Sequence, residues 1–211
     1  MNPDWLIVIF IISLSLIAYI KQTHKEYIRL ILLAAINYKT SNYILNENKT
    51  NKTLSDWILF SNYLITSTIF IQQSLNIFSV SLPHFHFFVI SSVTILILLI
   101  VNILNKGLNI IVSKIFKIED IGIEYNHNIN ILNKSLGILL LPVTILISFT
   151  VASKLFVIIG IAIFAVWFFL RIFRLIKINL NKHIKILYMF LYLCSFEVIP
   201  LLFLIKILQI R

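Results

Sequence analysis

The sequence predicts an all-α, polytopic membrane helical bundle of about six spans with amphipathic interfacial segments. Three observations carry this. Hydrophobic residues make up 60% of the 211 and charged residues only 12%, about half the charged share of an ordinary soluble domain. The mean hydropathy is +0.98, more apolar surface than a water-soluble chain of this size can bury. Apolar runs of bilayer-crossing length recur along the whole chain and do not alternate as barrel strands would. No stretch is left for a sizeable soluble domain.

The first run, 5–20, follows MNPDW. Its leader carries Asp4 and no Lys or Arg, unlike a secretory signal, so it reads as a retained helix with Trp5 as an interfacial anchor. Residues 21–53 are polar and basic. Within them Leu30 to Tyr38 is apolar but too short to span, which suggests an interfacial helix or an extension of the first span.

The second span, 54–73, is the most polar. At 100° per residue, Ser55, Asn62, Thr66 and Gln73 fall within about 40° of one another. Amides and hydroxyls in hydrocarbon need partners, so this stripe should face other helices, either as packing contacts or as a substrate- or ion-lining face.

The third span, 85–104, opens near His84 and His86. Residues two apart on a helix point to nearly opposite sides, and no Cys or carboxylate lies nearby, so no metal site is read there. In 105–134, Leu108, Ile111, Val112 and Ile115 repeat at helical spacing with lysines on the other side. That pattern predicts an amphipathic helix lying flat on a leaflet, followed by an acidic turn at Glu119, Asp120 and Glu124 that fits no calcium loop.

The fourth span, 135–152, contains Pro142, which frees the carbonyl of Ile138 and predicts a kink. Only Ser153 and Lys154 separate it from the fifth span, 155–170, so these two should form a tight hairpin. A basic segment, 171–185, leads to the sixth span, 186–208.

Lysines and arginines sort by loop. Residues 21–53, 105–134 and 171–185 hold fifteen of the eighteen. The positive-inside rule then puts those segments in the cytoplasm and both termini on the non-cytoplasmic side. In this setting the net charge of +10 reads as topology signal. The basic residues are split among three loops without a recognisable module, so no nucleic-acid partner is expected. The expected partners are the lipid bilayer and other membrane proteins; the oligomeric state is open.

The last span carries Glu197, the one acidic residue well inside a predicted span. An ionised carboxylate at the bilayer centre costs about 2.5 to 3.5 kcal/mol on insertion scales, so this one should be protonated, paired or turned to a polar interior. Cys194 shares its face, and Pro200 frees the carbonyl of Phe196 one residue away. Glu197 has two readings. It is a packing anchor against the Asn62 and Thr66 stripe or the carbonyl freed by Pro142, or it is a functional carboxylate that carries protons, couples to an ion or docks a basic group. The single cysteine excludes an intrachain disulfide.

LYLCSFEVIP followed by LLFLIK resembles the C-terminal signature of a family of uncharacterised multi-spanning bacterial inner-membrane proteins, Bacteroidetes-type, of unknown function. Asp4-Trp5, Glu124-Tyr125, Asn133-Lys134 with Gly137, and Leu141-Pro142 agree in order. The resemblance implies a multi-spanning envelope protein and carries over no catalytic residue; Glu197 and Pro200 transfer only as signature positions.

No metalloprotease, hydrolase-elbow or Cys/His pattern occurs, and no cofactor motif. The leading expectation is a non-enzymatic subunit or assembly partner of a cell-envelope complex. The alternative is a proton- or ion-coupled small-solute transporter using Glu197, for which Pro142 and Pro200 are the only hints of broken helices.

Overall fold

The computed structural model describes residues 3–47, 53–78, 87–115 and 117–181. Among them there are seven α-helices and no strand: α1 (Pro3–Thr23), α2 (Tyr27–Ile36), α3 (Tyr38–Glu47), α4 (Thr53–Ile77), α5 (Phe87–Ile115), α6 (Glu119–Phe149) and α7 (Ser153–Asn181). Five of these, all but α2 and α3, are long and apolar enough to cross a membrane. The sixth predicted span lies outside the described residues.

The architecture is built around α6, which packs against all six other helices. Its sequence explains why. LGILLLPVTILI places Leu136, Leu140, Val143 and Ile147 on one face, where they meet Tyr63 and Phe70 of α4 and Val157 of α7 in the largest apolar cluster. Gly137 lets α4 approach: a Cβ there would stand 2.6 Å from the Cα of Tyr63, a backbone clash that only glycine avoids. A second cluster joins Ile20, Ile31, Ile44, Leu59 and Ile131, one side chain from each of α1, α2, α3, α4 and α6. The outward faces are the reverse of a soluble surface. Ile11, Ile103, Ile158 and Phe169 are among the large apolar side chains left exposed, a surface suited to lipid and too extensive for water.

Two expectations change. The segment after the third span does not lie flat as a separate helix. It prolongs α5 without a break to Ile115, because Asn109 and Ser113 on its polar side are buried against α6. Asn109 Nδ2 donates to the Gly122 carbonyl at 2.9 Å. The acidic turn is likewise absent: Glu119, Asp120 and Glu124 belong to α6. The reversal occurs one step earlier, where Lys117 takes a left-handed φ of 55° and the Ile118 N–H reaches back to the Ser113 carbonyl at 2.8 Å, closing the end of α5. At Pro142, which is exposed, α6 remains helical on both sides.

The helices are longer than their apolar parts. Charge-free stretches end at Lys21 in α1, Lys106 in α5 and Arg171 in α7, and begin just after Asp56 in α4 and Lys134 in α6. At 1.5 Å per residue these stretches run about 23 to 32 Å, near the thickness of a bilayer's hydrocarbon, about 30 Å. Past this level α5, α6 and α7 continue by about 13 to 22 Å. The α2–α3 pair packs against the extension of α6. The result is an apolar five-helix slab carrying a basic end with a polar interior.

Candidate functional site

That interior is built from the first half of α6, whose buried polar residues include Glu124, Asn128, Asn133 and Lys134. Helical spacing puts Glu124 and Asn128 one turn apart, and the Asn128 amide donates to the Glu124 carbonyl at 2.8 Å. The Asn128 Oδ1 then accepts two donors, the Ser41 hydroxyl of α3 at 2.8 Å and Arg174 Nη1 of α7 at 2.6 Å. Arg174 is itself 3% exposed. Its other arm, Nη2, donates to the carbonyl of Ala34, in the last turn of α2, where carbonyls lack intrahelical partners and attract a cation. One guanidinium thus joins α2, α6 and α7, with α3 tied in through Ser41. Beside it Tyr38, the first residue of α3, donates its phenol to the Glu124 carboxylate, and the Lys177 ammonium stands 5.2 Å from the centre of the Tyr38 ring.

A second cluster sits where α4 begins. Asp56 accepts the Lys134 ammonium at 2.6 Å and the phenol of Tyr27, both at Oδ1. Burial and the hydrogen bond to Asp56 push the Tyr27 phenol above its ordinary range, so it stays a donor at neutral pH. Lys134 is 10% exposed as a side chain and Asp56 36%, so water reaches the carboxylate more easily than the ammonium.

Next to this ion pair lies a cavity of about 280 Å³ between α4, α5 and α6. Asp56, Lys134, Lys106, Asn102 and Asn130 supply its polar lining, and Phe60 is among its apolar walls. Lys106 stands 5.4 Å from the Phe60 ring centre and makes no ion pair with a carboxylate among the described residues. Asn102 accepts from the Asn133 amide at 2.8 Å. Among the described residues, no group of three or more His, Cys, Asp or Glu could hold a metal ion.

The stripe read on the second span is inside the bundle. Ser55, Asn62, Thr66 and Gln73 are all buried on α4. The Thr66 hydroxyl donates to the Asn62 carbonyl at 2.8 Å, while Gln73 Nε2 donates to Ser148 Oγ at 2.6 Å and the Thr144 carbonyl at 3.3 Å on α6. The Asn62 side-chain amide finds no partner among the described residues. The stripe does not gather at one point: Gln73 lies about 25 Å along α4 from Asp56. Glu197, Pro200 and Cys194 lie outside the described residues.

Arg174, Asn128 and Tyr38 escaped sequence reasoning because they sit in segments that read as basic loops. The available signal was the i, i+4 spacing of Glu124 and Asn128 shortly before an apolar run.

A family model for a domain of unknown function, DUF4271, matches residues 6–208. The chain belongs to the DUF4271 family. No curated protein and no solved structure matches it. The DUF4271 match spans the apolar slab and the basic end alike.

Proposed function

We propose that this DUF4271 protein is a non-enzymatic subunit or assembly partner of a cell-envelope complex, held by six spans in a bacterial inner membrane of Bacteroidetes type. The basic end faces the cytoplasm and both termini the other side. The observation that carries the reading is the use of the buried charged groups. Arg174, Asp56 and Lys134 are engaged by groups of this same chain, and what they accomplish is to seat α2 and α3 on the ends of α6 and α7. Exposed around that seat are Lys25, Arg29 and Lys39, a basic rim suited to an acidic partner surface. Tests of this reading begin with gentle extraction from native membranes and mass spectrometry of what accompanies the chain. A stoichiometric membrane partner supports it, and loss of that partner in Glu197→Ala places the carboxylate at the joint.

A proton- or ion-coupled carrier using Glu197 is the second reading, favoured by the fully buried Asn62 amide without a partner among the described residues. Its mark is proton flux in proteoliposomes that Glu197→Gln abolishes.

A further inference from the structure

We propose that the cavity between α4, α5 and α6 is a headgroup site for an anionic glycerophospholipid, holding the phosphodiester between Lys106 and Lys134. Charge comes first. Two ammoniums and one carboxylate line the cavity, and Asp56 already accepts Lys134 and the Tyr27 phenol. A half-buried Lys106 remains whose described contact is a ring face. A cation would meet two ammoniums, and a neutral ligand would leave Lys106 uncompensated in a partly desolvated place; one negative charge balances the site. Hydrogen bonding agrees: Asn130 lines the same space, and its side-chain amide, which has no hydrogen bond among the described residues, can donate to a phosphate oxygen.

Size and position select a lipid. At about 280 Å³ the cavity lies at the lower bound of small-molecule pockets, about 300 Å³. It is too small for a whole lipid and adequate for the polar head. It sits at the level where the charge-free stretches of α4, α5 and α6 end, which is where a headgroup lies when the slab is in a bilayer. Its mouth is apolar: Trp57 is 71% exposed and Ile103 66%, an aromatic of the interfacial kind and an aliphatic surface along which acyl chains can run.

The test is native mass spectrometry of the delipidated full-length protein with phosphatidylglycerol, phosphatidylcholine or inorganic phosphate added separately. Phosphatidylglycerol is expected to bind at least several-fold better than phosphatidylcholine and to resist competition by millimolar phosphate. Lys106→Gln should weaken it about fivefold, the effect of one basic residue near an anionic surface. Lys106→Arg should restore it, and Lys114→Gln, on an exposed part of α5 away from the cavity, should leave it unchanged. Trp57→Ala, which touches none of the polar network, should also weaken binding and serves if Lys106→Gln does not fold. Equal binding of the two lipids, unchanged affinity in both Lys106→Gln and Trp57→Ala, or occupancy by inorganic phosphate in place of lipid would each overturn the proposal.

Discussion

Arg174 of α7 and Asn128 of α6 are joined by a buried 2.6 Å hydrogen bond, and the same guanidinium caps α2 at the Ala34 carbonyl. Two donors held at a fixed angle are what the arrangement uses, and lysine offers a single ammonium instead. Arg174→Lys should therefore rescue little of the loss in Arg174→Ala. Both variants should lower stability by about 1 to 3 kcal/mol, the cost of leaving buried polar groups without partners. They should also speed tryptic cleavage at Lys39, because the end of α2 just before it loses the guanidinium bond at the Ala34 carbonyl. Thermal unfolding in detergent and limited proteolysis read the two effects; full rescue by lysine would contradict the bidentate account.

The Asp56–Lys134 pair predicts an asymmetry. Removing Asp56 strands a nearly buried ammonium, whereas removing Lys134 leaves a carboxylate that water can reach and Tyr27 still serves. Asp56→Ala should cost about 3 kcal/mol or more, with Lys134→Ala costing less. The double variant should be more stable than Asp56→Ala alone. A double-mutant cycle on unfolding midpoints checks the order.

Tyr27 gives a pH test. Its folded phenol is pushed above the ordinary value, so ionisation is easier in the unfolded chain. The contribution of Tyr27 to stability is thus full below about pH 10, the ordinary tyrosine value, and is lost as pH rises through the raised value of the folded phenol. Absorbance of tyrosinate against pH should show late-titrating signal that falls by one group in Tyr27→Phe. A tyrosine with an ordinary titration at this position would contradict the buried bond to Asp56.

Glycines separate packing from propensity. Alanine in place of glycine in a helix gains up to about 1 kcal/mol where space is free. At Gly107 nothing lies within 4 Å of the new Cβ, so Gly107→Ala should stabilise. At Gly137 the Cβ meets the backbone of Tyr63 at 2.6 Å, so Gly137→Ala must push α4 from α6 and should destabilise by about 2 kcal/mol or more. Opposite signs in paired melts are the expected outcome.

Much of the slab was legible in the sequence because long apolar runs leave few alternatives in lipid: the runs around Leu59, Leu98, Leu140 and Ile161 all became helices. What stayed hidden was the basic end. Asn128, Lys134 and Arg174 look solvated in a sequence, since charge and amide content normally mark loops. Their burial depends on α5, α6 and α7 running past the apolar level so that their polar faces meet one another, a tertiary fact that no single segment encodes. Asp56 gives no sign of its pairing in the sequence because its partner Lys134 is far along the chain. The stripe of Asn62, Thr66 and Gln73 was recoverable because one helix's own period determines which side chains share a face.

The proposed role as an assembly subunit stands most directly on what leaves the membrane with the protein. Wild type and Arg174→Ala, extracted gently at native expression and compared by quantitative mass spectrometry, should differ in one respect. Wild type should carry a stoichiometric membrane-protein partner, and Arg174→Ala, still folded, should lose most of it as α2 and α3 loosen. Wild-type protein that emerges alone and monodisperse would contradict the role.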